Sequence, residues 1–350
     1  MSGVALKWCK SYLQDRIQHV RIGDTSSEPV TLNYSVPQGS VLGPQWFVIY
    51  TAPIRHIFQK YNLKYHIYAD DTQIYFSFDA NQIAATDAIH VIEACVQEIR
   101  QWMKNNCLKL NDSKTEFILF GSKHMLDKLS DIHINIGSST IAPVKQVRNL
   151  GFIMDASMTL SSHISSIVKS ASFQVRNLGR IRKFLDSKTT EQLVHAFITS
   201  RLDIGNSLLH GLTKEQIHRL QLIQNTAARL VTRTKRSSHI TPILFDLHWL
   251  PVHLRIQYKL LLLTYRAVNG LAPAYITELL DLYKPSRSGL RSTSKNLLVM
   301  KKSYRSWGDR AFTIAAPRLW NSLPDHIRAC SSLSSFKTGL KTHLMCTAYK

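Results

Sequence analysis

Asp70 and Asp71 are the residues whose type and spacing best suit chemistry: two adjacent carboxylates between Tyr65-His66-Ile67-Tyr68 and Thr72-Gln73-Ile74-Tyr75-Phe76-Ser77-Phe78. Those flanks are rich in aromatic and β-branched residues, so the segment reads as strand, tight turn, strand, with the acids at the tip of a buried hairpin. Side-by-side carboxylates in a low-dielectric setting repel one another and must be hydrogen-bonded or neutralised. A divalent cation does this. Mg²⁺ accepts one or two carboxylates and completes its shell with waters and substrate phosphates, which is the chemistry of nucleotidyl transfer. Taken alone, the same dipeptide also reads as the polar tip of a surface turn, where Asp is common.

The hairpin fixes the angle at which Asp70 presents its oxygens, and Tyr68 with the strand residues behind it is expected to anchor the backbone. Around it, residues 4–20 place Ala5, Trp8, Tyr12 and Leu13 at helical spacing, and a hairpin follows with its turn over 24–28. Pro37-Gln38-Gly39-Ser40 forces a turn, after which Val41 to Tyr61 predicts a largely buried helix interrupted by Pro44 and Pro53. Between Asn81 and Asn106 the apolar residues Ile83, Ala84, Ala88, Val91, Ile92, Cys95, Ile99 and Trp102 recur every three or four positions. That is a long amphipathic helix lying across the strands, with Asn81 as its cap. Residues 108–111, 117–120, 132–136 and 147–153 read as further strands.

After Ser157 the pattern is almost entirely helical, with helices over 161–184, 188–209, 213–233 and 251–269 and a basic loop at 233–239. The last stretch, 284–350, carries 13 Lys or Arg against only Asp309 and Asp325, and its prolines and serine clusters predict a looser, partly extended module. Within it, Tyr304 and Trp307 stand among Lys301, Lys302, Arg305 and Arg310, a composition open to base stacking with phosphate contacts.

Tyr68-Ala69-Asp70-Asp71, preceded by Ser35-Val36-Pro37-Gln38-Gly39-Ser40-Val41-Leu42-Gly43-Pro44, resembles the palm of reverse transcriptases of non-LTR (LINE-type) retrotransposons, with both motifs in family order and at family spacing. Cys107-Leu108-Lys109-Leu110-Asn111 with Lys114-Thr115-Glu116 looks like the later palm motif, and Asn149-Leu150-Gly151-Phe152 with Asp155 resembles the primer grip. The stretches 248–267, 269–275 and 308–324 look like the C-terminal region of CR1- and L2-like elements. The resemblance implies an α+β fold: a partial right-hand polymerase palm, an antiparallel sheet with helices over 1–156, then a helical thumb-like region over 157–240, a helical C-terminal region over 241–283 and the basic segment 284–350. It implies that Asp70 and Asp71 are catalytic and bind Mg²⁺, that Pro37, Gln38, Gly39 and Lys114 contact template or nucleotide, and that Leu150 and Gly151 grip the primer. Lys169, Arg176, Arg180, Arg182 and Lys183 would follow the nucleic-acid backbone on the basic side of the helix over 161–184.

Two-metal phosphoryl transfer needs carboxylates from more than one element. In the family another Asp stands on a palm strand upstream of the stretch matching Trp8 to Gln18, so the resemblance implies an N-terminally truncated palm, inactive alone, or else a noncatalytic nucleic-acid binder or an inert element remnant. Asp15, Asp24 and Glu28 read as solvated residues rather than replacements. Ser35 stands where the family has Gly, and Gln45-Trp46 where it has smaller apolar residues.

Composition agrees with such a partner. Over 350 residues, 44 Lys plus Arg against 23 Asp plus Glu give +21, a charge that attracts an RNA template, a DNA primer or nucleic acid in general. With 44% hydrophobic residues the chain can bury a substantial core. Cys9, Cys95, Cys107, Cys330 and Cys346 form no C-x-x-C pair, which argues against a disulfide scaffold or structural zinc. No apolar run approaches the length of a membrane span and no signal peptide is visible, so an intracellular location, without a membrane partner, is expected.

Overall fold

A computed structural model of the protein describes residues 2–34, 36, 39–129, 131–284, 296–303 and 307–349. They divide into two units, Met1–Lys145 and Gln146–Lys350. The first is mixed α/β with small antiparallel sheets and the second mainly helical, as the sequence implies.

The first unit opens with α1 (Gly3–Leu13), where Trp8 stacks on Tyr12 at 5.4 Å. β1 (Arg16–Gln18) and β4 (Val30–Leu32) then pair antiparallel, as do β2 (Arg21–Ile22) and β3 (Thr25–Ser26) between them. The turn thus falls at Gly23-Asp24, earlier than the polar composition of 24–28 suggests, because Gly23 supplies the φ of +61°. Pro44 does not interrupt α2 (Gly43–Thr51) but sits in its first turn, where a missing N–H is harmless; Pro53 caps α3 (Ile54–Lys60). The expected burial holds only for α3, which buries Ile54, Ile57 and Phe58, whereas Val48, Ile49 and Tyr50 of α2 are exposed.

β5 (Lys64–Tyr68) and β6 (Asp71–Tyr75) pair antiparallel, and α4 (Gln82–Asn105) follows. The Asn81 side chain accepts a hydrogen bond from the Ala84 N–H at 2.8 Å, a cap that contributes about 1 kcal/mol. One stripe of α4 buries Ala85, Ala88, Cys95, Val96 and Ile99. Beneath it Phe58, Leu63, Cys95 and Ile99 form one apolar cluster, and Val96, Ile134 and Ile136 form a second. Residues 108–111 and 117–120 are not strands: a 3₁₀ turn spans Asp112–Lys114, and Phe117 makes a single bridge to Pro143. After a short helix, α5 (Lys123–Leu126), the unit closes with the hairpin β7 (Ile134–Ile136) and β8 (Ser139–Ile141).

The second unit starts with a hairpin, β9 (Gln146–Asn149) and β10 (Phe152–Asp155), where a single strand was expected. Then come α6 (Ser161–Ile181), α7 (Ser187–Val194), α8 (Ser200–Asp203) after a π-helical stretch at His195–Thr199, and α9 (Lys214–Thr232). α10 (Ile240–Asp246) is a helix the periodicity missed, being too short for two full turns, and α11 (Val252–Val268) follows it. A core of Ile164, Ile198, Leu220, Ala228 and their neighbours packs α6, α7 and α9 together.

The C-terminal part needs the largest correction. After α12 (Ala274–Thr277), the chain forms α13 (Phe312–Asn321), α14 (Asp325–Arg328) and α15 (Leu333–Ala348), so where described it is packed rather than loose. Trp320, Ile327, Phe336 and Leu340 are fully buried against Leu261 and Tyr265 of α11. Ser332, read as loop, is the N-cap of α15: its side chain accepts from the Ser335 N–H at 3.1 Å, and Ser335 answers in a capping box.

Candidate functional site

β5 and β6 are joined by a two-residue turn at Ala69-Asp70, with Asp71 opening β6 opposite Tyr68. Ala69 takes φ +53°, a conformation that disfavours any residue with a Cβ, so the tip carries local strain. Both aspartates and Tyr68 are exposed. The tip is therefore solvated, not buried, and the carboxylates can stand side by side without the desolvation penalty that a buried pair would face. Tyr68 is not the anchor. Support comes from Tyr65, Ile67 and Ile74, which pack on the cluster around Phe58, with the Phe58 and Tyr65 rings stacked at 4.5 Å. Across the pair, Tyr75 Oη and His66 Nε2 lie 3.2 Å apart and their rings stack.

With two carboxylates facing water, the tip offers one side of the shell Mg²⁺ takes when phosphates and waters supply the rest. Among the described residues no three His, Cys, Asp or Glu side chains form a group placed to hold a metal ion. None of the residues outside the description is of those four types. Asp70 and Asp71 therefore fit one side of a metal centre, and among the described residues no third such side chain joins them.

Lys114 is exposed at the end of the 3₁₀ turn Asp112–Lys114, and that turn is held by the ion pair of Arg100 with Asp112. Leu110 and Phe117, flanking the turn, pack on the same cluster as Ile74 of β6. One apolar patch beneath α4 thus seats both the aspartate strand and the lysine segment, a link that sequence periodicity gave no means to see. Pro37 and Gln38 lie outside the described residues. Gly39 is exposed with φ +80°, and Ser40 Oγ beside it lies 2.5 Å from Tyr12 Oη of α1.

In the second unit Leu150 and Gly151 form the two-residue turn of the β9–β10 hairpin, with φ values of +45° and +85°. Positive φ at both central residues is the geometry that matches strand twist, and it favours Asn-Gly over Leu-Gly. Leu150 is nevertheless half exposed at the tip, an apolar side chain held outward in a strained conformation. Behind it Phe152 packs on Gly205, where a Cβ would fall 2.3 Å from the ring.

On α6, Lys169, Arg176 and Arg180 are exposed, as is Lys183 just beyond its end. Arg182 departs from this set. Its side chain is buried, with Nε donating to the Leu230 carbonyl at 2.7 Å, Nη1 to Leu185 at 2.6 Å and Nη2 to Val231 at 2.7 Å. Leu230 and Val231 lie in the last turn of α9, whose carbonyls have no partner within the helix. Arg182 is thus a cap at the negative end of α9, its buried guanidinium committed to these carbonyls rather than open to a phosphate. Arg233, left-handed at the end of α9, donates to the Arg182 and Leu185 carbonyls at 3.3 and 3.2 Å and takes part in the same junction. Tyr304 and Arg305 of the tail lie outside the described residues, and Arg310 is turned inward, donating to the Met158 carbonyl at 2.6 Å.

Two residues the charge pattern passed over are Phe173 and Phe184, exposed between the cations of α6 and its 3₁₀ extension. The signal was present, since Lys169, Phe173, Arg176 and Arg180 are spaced by four, three and four. No helix among the described residues is long and apolar enough to cross a membrane.

Residues 2–154 match the family model described as reverse transcriptase (RNA-dependent DNA polymerase). Over 234 residues the chain is 25% identical to the "Probable RNA-directed DNA polymerase from transposon BS" of Drosophila melanogaster, covering 64% of this chain and 25% of that protein. Over 232 residues it is 21% identical to the "RNA-directed DNA polymerase from mobile element jockey" of the same organism, covering 64% of this chain and 24% of that protein. The chain thus spans about a quarter of the length of these relatives. No solved structure matches it.

Proposed function

Residues 2–154 are a reverse transcriptase domain of the non-LTR, LINE-type retrotransposon kind, and from that premise we propose that the chain is one part of an RNA-directed DNA polymerase. Asp70 and Asp71 present the metal-side carboxylates from the tip of the β5–β6 hairpin. Pro37, Gln38 and Gly39 meet template and incoming nucleotide, Lys114 meets the triphosphate, and the Leu150-Gly151 turn bears on the primer strand. Lys169, Arg176, Arg180 and Lys183 follow the phosphate backbone, while Arg182 holds α9 to the helix that carries them. The supporting observation is the shared apolar seat of Ile74, Leu110 and Phe117, which fixes the aspartate strand and the Lys114 segment to one patch.

When bound, Mg²⁺ neutralises the phosphates and lowers the pKa of the attacking hydroxyl. This chain's own contribution is to hold two carboxylate groups at a solvated, backbone-defined tip and to keep cations where phosphates pass. Because a two-metal centre needs ligands from more than one element, we infer that the 350-residue chain alone does not elongate a primer. A carboxylate from outside these 350 residues is required. A second reading, nucleic-acid binding without catalysis, is favoured by one feature: no Asp or Glu occurs between Ala156 and Leu185, so the cationic face of α6 is uninterrupted.

Replacing Mg²⁺ by Fe²⁺ and generating hydroxyl radicals at the bound ion tests the assignment without needing activity. Backbone cleavage centred on residues 66–75 is expected, disappearing in the Asp70→Asn, Asp71→Asn double variant. Cleavage elsewhere, or cleavage unchanged in that variant, overturns it.

A further inference from the structure

We propose that the outward face of α6 is a track for single-stranded nucleic acid, on which Phe173 and Phe184 stack against unpaired bases while the surrounding cations hold the phosphates. The proposal deepens the reading of α6 as a backbone-following helix and rests on it, adding which form of nucleic acid the face selects.

Lys169, Phe173, Arg176 and Arg180 recur along α6 at steps of four, three and four residues, which aligns their side chains on one face of a helix. The opposite face carries the buried residues Ile164, Ile167, Ala171 and Leu178. This stripe is therefore the side turned furthest from the core. Phe173 is 53% exposed and Phe184 76% exposed. Leaving two phenyl rings in water is unfavourable, by the area rule about 25 cal/mol per Å² of apolar surface, and here they alternate with guanidinium and ammonium groups. The Lys183 Nζ already sits over the Phe184 ring at 4.8 Å, so cation and aromatic form a unit that can receive a phosphate and its base together.

Charge complementarity decides the occupant. A protein partner for two phenylalanines would be apolar, yet Phe173 lies between Lys169 and Arg176 on a helix that contains no acid, and Phe184 lies under Lys183. A polyanion with flat apolar faces satisfies both features, and that describes nucleic acid whose bases are free. Duplex bases are stacked and paired, so a duplex can use the cations but not the rings. From Phe173 to the end of α6 the rise is about 12 Å at 1.5 Å per residue, and the 3₁₀ turn to Phe184 adds about 6 Å. At about 3.4 Å per stacked nucleotide, that is roughly five nucleotides or fewer, within the site sizes usual for single-strand binders.

The test uses the full chain and three fluorescein-labelled probes: a 12-nucleotide oligo(dT), a 12-nucleotide oligo(U) and a 12-base-pair DNA duplex, each titrated across salt. Phe173→Ala with Phe184→Ala should weaken both single-stranded probes by roughly tenfold per ring and leave duplex affinity and salt slope unchanged. Phe173→Trp with Phe184→Trp should restore single-strand binding, which a merely structural role would not do. Arg176→Ala with Arg180→Ala should weaken all three probes and flatten the salt slope. Unchanged single-strand affinity in the Phe→Ala variant overturns the stacking proposal while the cation reading stands. Unchanged affinity for all probes in the Arg→Ala variant sinks the reading on which it rests. Altered sedimentation of the Phe→Ala variant with unaltered nucleic-acid affinity makes the face a protein contact and overturns the proposal. A preference for oligo(U) over oligo(dT) assigns the strand as RNA, the reverse as DNA, and either supports the track.

Discussion

Replacing Arg182 with Ala separates architecture from recognition within a single basic cluster. Arg182 is 7% exposed, and its guanidinium satisfies three backbone carbonyls, those of Leu185, Leu230 and Val231, at 2.6 to 2.7 Å. Hydrogen bonds from a charged donor contribute about 1.5–3 kcal/mol each, and a buried carbonyl left without a partner costs about 1–3 kcal/mol. Water entering the vacated volume recovers part of this, so the net loss should be about 3–5 kcal/mol, as for removing one member of a buried charged group. For a unit of this size that is roughly 6–20 °C in Tm, at about 2–4 °C per kcal/mol. Arg182→Lys keeps the charge but cannot reach three acceptors in one plane, and should recover only part of the loss. Arg180→Ala, two residues away and exposed, should change stability by less than about 0.5 kcal/mol while weakening nucleic-acid binding. Urea unfolding followed by far-UV circular dichroism, with a binding titration on the same samples, reads both effects. An Arg182→Ala protein within about 1 kcal/mol of wild type, with binding reduced as much as in Arg180→Ala, refutes the capping role.

Other expectations follow from the same contacts. Gly205→Ala combines a Cβ at φ +54° with a clash 2.3 Å from the Phe152 ring, and should cost about 2–4 kcal/mol in chemical denaturation, with partial rescue by Phe152→Leu. No loss, or no rescue, contradicts that packing. Leu150→Asn relieves a left-handed leucine and should stabilise the hairpin by about 1 kcal/mol; a measured loss of stability argues that Leu150 packs on something within the chain. Burial lowers the pKa of His163, His210 and His253, helped by Arg148 at His163 and by Arg318 and Arg310 at His210. The unfolded chain then takes up protons before the folded one as pH falls through about 6.5. Stability present above that pH should be lost below it, seen as a lower urea midpoint at pH 5.5 than at 7.5 and a smaller drop when the three are replaced by Gln. An unchanged midpoint, or an equal drop in the triple variant, refutes it.

Legibility in the sequence tracked how local each interaction is. Asn81 and the three-and-four spacing of α4 are complete within one helix, so the cap and the buried Ala88, Cys95 and Ile99 could be read from the residues, whereas Ile83, expected on the same stripe, is exposed. The Asp70-Asp71 turn was visible for the same reason, because two strands and a tight turn occupy a single short segment. Its exposure was not visible, since whether a hairpin tip is buried depends on what lies over it. Arg182 sits among Arg180 and Lys183 with nothing in its neighbours to mark it; two of the three carbonyls it serves lie some fifty residues away. Serines misled at the C-terminal end because the hydroxyl that favours loops also favours N-caps. There the spacing of Phe336, Leu340 and Leu344 carried the helix, and the composition of the segment hid it. Leu110 and Phe117 were read as strand residues because apolar alternation reports burial of a side chain and not the pairing of its backbone.

If Asp70 and Asp71 grip a metal from a single direction, they cannot alone complete a nucleotide-joining centre. This is tested most directly by supplying the purified chain with a primed RNA template, deoxynucleotides and Mg²⁺ and resolving the primer at single-nucleotide length. Salt-sensitive retention of the template with no lengthening of the primer is expected. Processive lengthening that vanishes in Asp70→Ala would contradict it.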